Sequence, residues 1–345
     1  MRKPRKAAKY SITRAAALSA SAIDLACSPD NDEYGAPFTR LLRLRDGGWT
    51  TLDIPQHTES MSQLRDRSGR SSLYVMSREG DLLNAEEGTR SKVEDPMLRG
   101  APYQLGFLNK LRQIGDALFA VGAGGQAYGR KANGDWRLLD EALLDGPHAD
   151  SNWILEYAQN PNLLDDPNEY SQFLARINAG RGKLLSSLAG QSENAIYICG
   201  ERADGLVYFW DGRGFTTCDL PTRGSLRDIL IAPDGAIWIC GRDGLLLKGR
   251  ERAFEVILDL GHELRFASLA WFGGRLYLGA SSGPNGLFVL DGGNAAVVRT
   301  GLSPEPEEAH TIEAADGVLW IVGLKDLARF DGRRWERIAV PGLNA

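Results

Sequence analysis

Seven recurrences of a short apolar strand, most running through glycine into a second strand that ends in Asp-Gly, predict an all-β chain. The expected architecture is a seven-bladed β-propeller of four-stranded antiparallel blades, with a partly helical insertion. The equivalent central positions are Asp24, Tyr74, Phe119, Tyr197, Trp238, Tyr277 and Trp320, at spacings of 50, 45, 78, 41, 39 and 43 residues. A strand-built period near 40 residues marks a propeller, because a lone twisted sheet cannot bury both of its faces and a closed ring of sheets covers them. Composition agrees: of 345 residues, 43% are hydrophobic, enough for a large core, and 40 glycines serve many tight turns. One domain over 1–345 is therefore expected, with an insertion at about 141–190.

The chain begins with a basic stretch, Arg2, Lys3, Arg5, Lys6 and Lys9, followed by the small apolar run 15–22 and by Leu25-Ala26-Cys27-Ser28. This order has the outline of a bacterial lipoprotein leader, but Asp24 and several serines interrupt the continuous apolar core that such a leader needs. A cytoplasmic protein is expected, with a periplasmic or lipid-anchored one as the alternative. No stretch approaches the roughly 20 apolar residues that span a bilayer. The net charge of −5 argues against general nucleic-acid binding. Four cysteines fit a reducing compartment; Cys199 and Cys240 hold equivalent places on neighbouring blades and read as small buried residues, with a disulfide or metal pair as the alternative.

Gly122-Ala123-Gly124-Gly125-Gln126-Ala127 satisfies a dinucleotide-binding pattern in letters. The pattern requires a helix whose N-terminus meets the pyrophosphate, whereas the following 128–136 contains Gly129, Asn133 and Gly134 and reads as a hairpin. No cofactor is expected. The 78-residue gap that follows exceeds one period by roughly 35 residues. Within it, 152–158 and 170–177 carry apolar residues at helical spacing, punctuated by Pro161, Pro167 and Gly180. A helical insertion between the outer strand of one blade and the inner strand of the next is the reading, against a degenerate eighth blade using 184–188 as a strand.

The clearest single repeat lies at 226–258: an inner strand around 227–232, a turn at Pro233-Asp234-Gly235, the strand 236–240, a reversal at 241–244, the strand 245–248 and a last strand 254–258. In the next repeat, Gly279-Ala280-Ser281-Ser282-Gly283 matches a nucleophile elbow, with Asp291 and His310 following in hydrolase order. That elbow must run from strand into helix; here Pro284-Asn285-Gly286 leads into another strand, and Asp291 is the turn residue shared with Asp211 and Asp331. Hydrolysis is not expected. His57, His148, His262 and His310 lack metal-ligand spacing, so no metal site is expected either.

The segments Asp234-Gly235-Ala236-Ile237-Trp238-Ile239-Cys240-Gly241 and Asp316-Gly317-Val318-Leu319-Trp320-Ile321-Val322-Gly323 resemble blades of bacterial regulator-type, Ycf48-like and neuraminidase-repeat-like propellers. The resemblance implies the fold. No complete sialidase aspartate box is present, so sialidase chemistry does not follow, and photosystem assembly has no residue to support it. Acidic single-domain bacterial propellers with an insertion also resemble proteins that cap toxin domains. In a four-stranded meander, the connections between blades and those between second and third strands emerge on one face. There the sequence places Asp30, Asp32 and Glu33, then Glu305, Glu307 and Glu308, then Asp165, Asp166 and Glu169 of the insertion. The expected function is non-catalytic protein binding, as an immunity-type protein that binds and neutralises a bacterial toxin, its partner a basic toxin domain, through this acidic face, with Trp153, Tyr157, Tyr170 and Phe173 as anchors. An assembly factor, or a hydrolase or lyase using the central cavity, is the alternative. The free protein is expected to be a monomer.

Overall fold

A computed structural model describes residues 10–30, 37–94, 105–130, 134–145, 182–202, 204–261, 263–281 and 286–343. Seven four-stranded antiparallel sheets are present, each built from four consecutive strands in meander order. Their inner strands are Tyr10–Ser19, Ser60–Arg65, Leu108–Ile114, Leu184–Ser192, Leu226–Ile231, Phe266–Phe272 and Thr311–Ala315, here blades 1 to 7. Each inner strand contacts those of its two neighbours, and that of blade 7 contacts that of blade 1, so the ring closes. No helix among the described residues is long and apolar enough to cross a membrane.

The seven repeat positions all fall on second strands. Asp24 lies in Ala22–Pro29, Tyr74 in Ser71–Met76, Phe119 in Ala117–Gly122 and Tyr197 in Ala195–Glu201; Trp238, Tyr277 and Trp320 follow in Ile237–Gly241, Arg275–Ala280 and Val318–Val322. These strands read as uninterrupted apolar runs because both of their faces are covered by neighbouring blades. The described core divides accordingly into seven clusters, one at each blade junction. The glycine that follows the repeat position has a packing reason: a Cβ on Gly241 would stand 2.0 Å from the Ser225 carbonyl oxygen, and one on Gly200 2.2 Å from that of Leu184.

Blade 1 draws its four strands from residues 10–54 and blade 7 from 311–337, so no strand is exchanged across the seam between them. Side chains hold it instead. Ile12, Ile23 and Leu25 pack with Val318, Trp320 and Val340; the Trp320 indole donates to the Ser19 carbonyl at 3.0 Å, and Ile12 N donates to Leu324 O at 2.8 Å.

Inner strands of adjacent blades are not sheet neighbours. Each junction around the channel is instead bridged through a side chain: Arg14 to Glu59, Leu111 N to Ser60 Oγ, and Asn109 Nδ2 to the Leu185 carbonyl. Ser187 Oγ then donates to Asp228 Oδ1, Leu269 N to Asp228 Oδ2, Ile312 N to Ser268 Oγ and Ala17 N to Glu313 Oε2, the last at 2.6 Å. These polar groups at the centre of the ring are thus satisfied by the adjoining blade, whereas Ser186 Oγ and Gln63 Oε1 have no partner among the described residues.

Two sequence expectations change. Leu184–Ser192 is the inner strand of blade 4 and not part of an insertion, so 184–188 is a strand without there being an eighth described blade. At the other end, Leu143 of the 3-10 turn Glu141–Leu143 packs into the core between blades 3 and 4. The helical runs expected at 152–158 and 170–177 lie outside the described residues. The chain leaves and re-enters the described fold at one spot, where Lys183 Nζ meets Asp145 Oδ1 at 2.9 Å, Gly124 N donates to Lys183 O at 2.7 Å and Asp145 N donates to Gly124 O at 2.9 Å. The small apolar run 15–22 lies in the first hairpin of blade 1. Cys27 is fully buried there, its thiol pushed up to about 12 by burial. All four cysteines are buried and free.

Candidate functional site

Sequence placed the acidic residues on connections between blades and between second and third strands, which share one face of a meander. On that face, between blades 6 and 7, lies a groove of about 590 Å³ lined by Glu305, Glu307, Glu308 and Asp326 against Lys325 and Arg337. Four carboxylates face two cations, so the groove is acidic. Leu324 on its wall is 43% exposed, an apolar contact surface inside a charged rim.

The carboxylates are not equally free. Both oxygens of Glu305 are used inside its own loop, accepting from Gly301 N at 2.7 Å and from Thr300 N and Oγ1 at 2.9 and 2.8 Å. Burial pushes the Glu305 pKa up, but the Thr300 and Gly301 hydrogen bonds outweigh it and leave the group below its ordinary value. Glu308 accepts from Leu324 N at 2.7 Å and so fixes the wall of the groove. Asp326 makes a two-pronged pair with Arg337 at 2.8 and 2.9 Å, and Asp30 reaches the same region from blade 1 through Lys325. Glu307 is exposed and has no hydrogen bond or ion pair among the described residues. It is the carboxylate best placed to meet a cation from outside.

The structure thus brings Asp30, Glu305, Glu307 and Glu308 together at the blade 6, 7 and 1 sector. Asp32, Glu33, Trp153, Tyr157, Asp165, Asp166, Glu169, Tyr170 and Phe173 lie outside the described residues. Sequence reasoning missed Asp326, Arg337 and Leu324. Leu324 was visible as an apolar residue directly after the strand-ending Gly323, in the connection assigned to this face.

The hydrolase-like residues are not assembled. His310 is bonded through Nδ1 to Thr311 Oγ1 and through Nε2 to the Ile12 carbonyl, each at 3.0 Å; Asp291 sits 3.7 Å from Arg275 in the hairpin before the outer strand. Hairpins of that type emerge on the opposite face from Ser281. The Gly122-Ala123-Gly124-Gly125 stretch turns back into the strand Ala127–Arg130, with no helix to receive a pyrophosphate. No grouping of three His, Cys, Asp or Glu suited to a metal occurs among the described residues.

No family model matches the chain. The immune protein Tsi7 of Pseudomonas aeruginosa is 29% identical to it over 225 residues, covering 65% of this chain and 62% of that protein. The matched part therefore spans less than two thirds of the relative's own length. Among solved structures, YCF48 bound to a D1 peptide aligns with a TM-score of 0.57 at 14% identity, covering 92% of this chain and 90% of that one. The WD40 propeller domain of Doa1 aligns with a TM-score of 0.58 at 13% identity, covering 94% and 93%. At these identities the structural likeness carries the fold, a seven-bladed propeller, and nothing finer.

Proposed function

We propose that this chain is a non-catalytic protein-binding propeller of the immunity type, which binds a basic bacterial toxin domain through its acidic loop face and neutralises it by occlusion. The observation that carries the reading is the groove between blades 6 and 7, where an unpaired, exposed Glu307 stands beside exposed Leu324 on a rigid wall. Acidic rims speed the encounter with a basic partner, and a desolvated apolar contact within the rim holds it. The similarity to an immune protein points the same way. The test is co-expression with the products of the neighbouring genes: protection of growth against a toxic product, with recovery of a stable complex, is expected for one of them. Full toxicity in every pairing, with no complex recovered, contradicts the reading.

The segment 146–181 belongs to this proposal as a second contact region, carrying Trp153, Tyr157, Asp165, Asp166, Glu169, Tyr170 and Phe173. Because Asp145, Gly124 and Lys183 tie its two ends together, replacing 146–181 with a short Gly-Ser bridge is expected to leave the unfolding midpoint nearly unchanged. The same variant is expected to bind the partner at least about tenfold more weakly, which is about 1.4 kcal/mol. Calorimetric titration checks the binding, and full affinity in the folded variant would assign the interface to the groove alone.

A further inference from the structure

Charged side chains crowd the central channel, a cavity of about 420 Å³ lined by the inner strands of every blade but the fourth and by the residues that flank them. Strand pairing sets their levels. Arg14, Lys110 and Asp228 stand opposite Ala26, Val121 and Cys240, each two residues past a repeat position, whereas Arg112 and Glu313 stand opposite Phe119 and Trp320 themselves. Most of these charges are committed to the fold. Arg14 is held by Glu59; Arg112 donates to the Leu188 and Ile229 carbonyls at 2.9 and 3.0 Å; Asp228 accepts from Ser187 and Leu269 N.

Two are not fully committed. Lys110 on blade 3 makes no hydrogen bond or ion pair with any described residue. Glu313 on blade 7, across the ring, accepts from Ala17 N through Oε2 and forms no ion pair among the described residues. Burial, and then Arg112, push the Lys110 pKa down against the opposing pull of Asp228 and Glu313; burial pushes that of Glu313 up against the Ala17 N hydrogen bond and the charges of Lys110 and Arg112. Lys110 and Glu313 are half-buried and feel each other only across the channel, so an opposite charge brought into contact with either completes a pair that the fold leaves open. A simple anion in this channel meets Asp228 and Glu313, and a simple cation meets Arg14, Lys110 and Arg112. A molecule with both signs at its two ends matches both walls.

We propose that the central channel binds a small zwitterion of the amino-acid class, its carboxylate on Lys110 and its ammonium on Glu313. This site is separate from the groove between blades 6 and 7 and does not depend on the identity of the protein partner. The probes are glycine, β-alanine, 4-aminobutanoate and 6-aminohexanoate, titrated calorimetrically into the full chain, with butanoate and butylammonium as single-charge controls. One chain length is expected to bind best, because the span between the two groups is fixed by the ring. The controls are expected to bind it at least about tenfold more weakly. Lys110→Met and Glu313→Gln should each abolish binding of the best zwitterion, and Glu313→Gln keeps an acceptor for Ala17 N, so it decides the matter if Lys110→Met does not fold. No binding of any probe at millimolar concentration, single-charge controls as tight as the zwitterions, or unchanged affinity in a folded variant would overturn the assignment.

Discussion

Trp320→Ala is expected to destabilise the ring by about 3–5 kcal/mol, the range for removing a large aromatic from a packed core. Trp320 is fully buried, and it lies at the seam between blades 7 and 1. No exchanged strand reinforces that seam, so the loss combines a cavity with the broken indole bond to Ser19. Trp238 offers an internal comparison. It is also buried, but its indole nitrogen has no hydrogen-bond partner, and it sits between blades 5 and 6, away from the seam. Trp238→Ala is therefore expected at the lower end of the same range, about 3 kcal/mol. Denaturant unfolding of the two variants measures both. A loss below about 1 kcal/mol for Trp320→Ala would show that the seam is not held by this packing.

Asp24→Ala is expected to cost about 3 kcal/mol, because removing one partner of a buried ion cluster leaves the other charges uncompensated. Asp24 is fully buried on the second strand of blade 1, where the other blades carry an aromatic. Its carboxylate accepts from Arg43 at 2.8 Å, from Arg45 at 2.8 and 2.9 Å, and from Gln63 of blade 2 at 2.7 Å. Arg43 and Arg45 keep 17% and 32% side-chain exposure, so both turn partly to water in the variant, which keeps the cost from rising further. Asp24→Asn retains the shape and one acceptor and should fall between wild type and Asp24→Ala. Equal stability of all three proteins, read from chemical denaturation, would contradict the account of blade 1.

The ring was legible in the sequence because its second strands are buried on both faces and therefore read as unbroken apolar runs. Asp24 aligned with them by spacing alone; what compensates it, Arg43 and Arg45 on the next strand and Gln63 on the next blade, emerges only on folding. The boundary of the insertion was misplaced for a related reason. Leu184-Leu185-Ser186-Ser187-Leu188 lacks a period of two, because the pairing with the second strand shifts register between Leu185 and Ser187, and Ser187 is used to hold Asp228. The channel charges were missed although a signal existed: carrying the strand pairing of one repeat to the others sets Lys110 and Asp228 at one level and Arg112 and Glu313 at another. The acidic face was legible as composition. That Glu305 spends its oxygens on its own loop and Glu308 accepts from Leu324 N of the neighbouring connection, leaving Glu307 free of any described partner, depends on backbone paths that charge counting does not reveal.

The central claim is that the acidic groove between blades 6 and 7 engages a basic protein. The most direct measurement is the affinity, at two salt concentrations, of the partner recovered by co-expression, for wild type and for Glu307→Lys. Glu307 is exposed and bonded to no described residue, so its reversal leaves the fold intact. The account predicts at least about tenfold weaker binding, slower association and a smaller dependence on salt. Unchanged affinity with an unchanged salt dependence would contradict it.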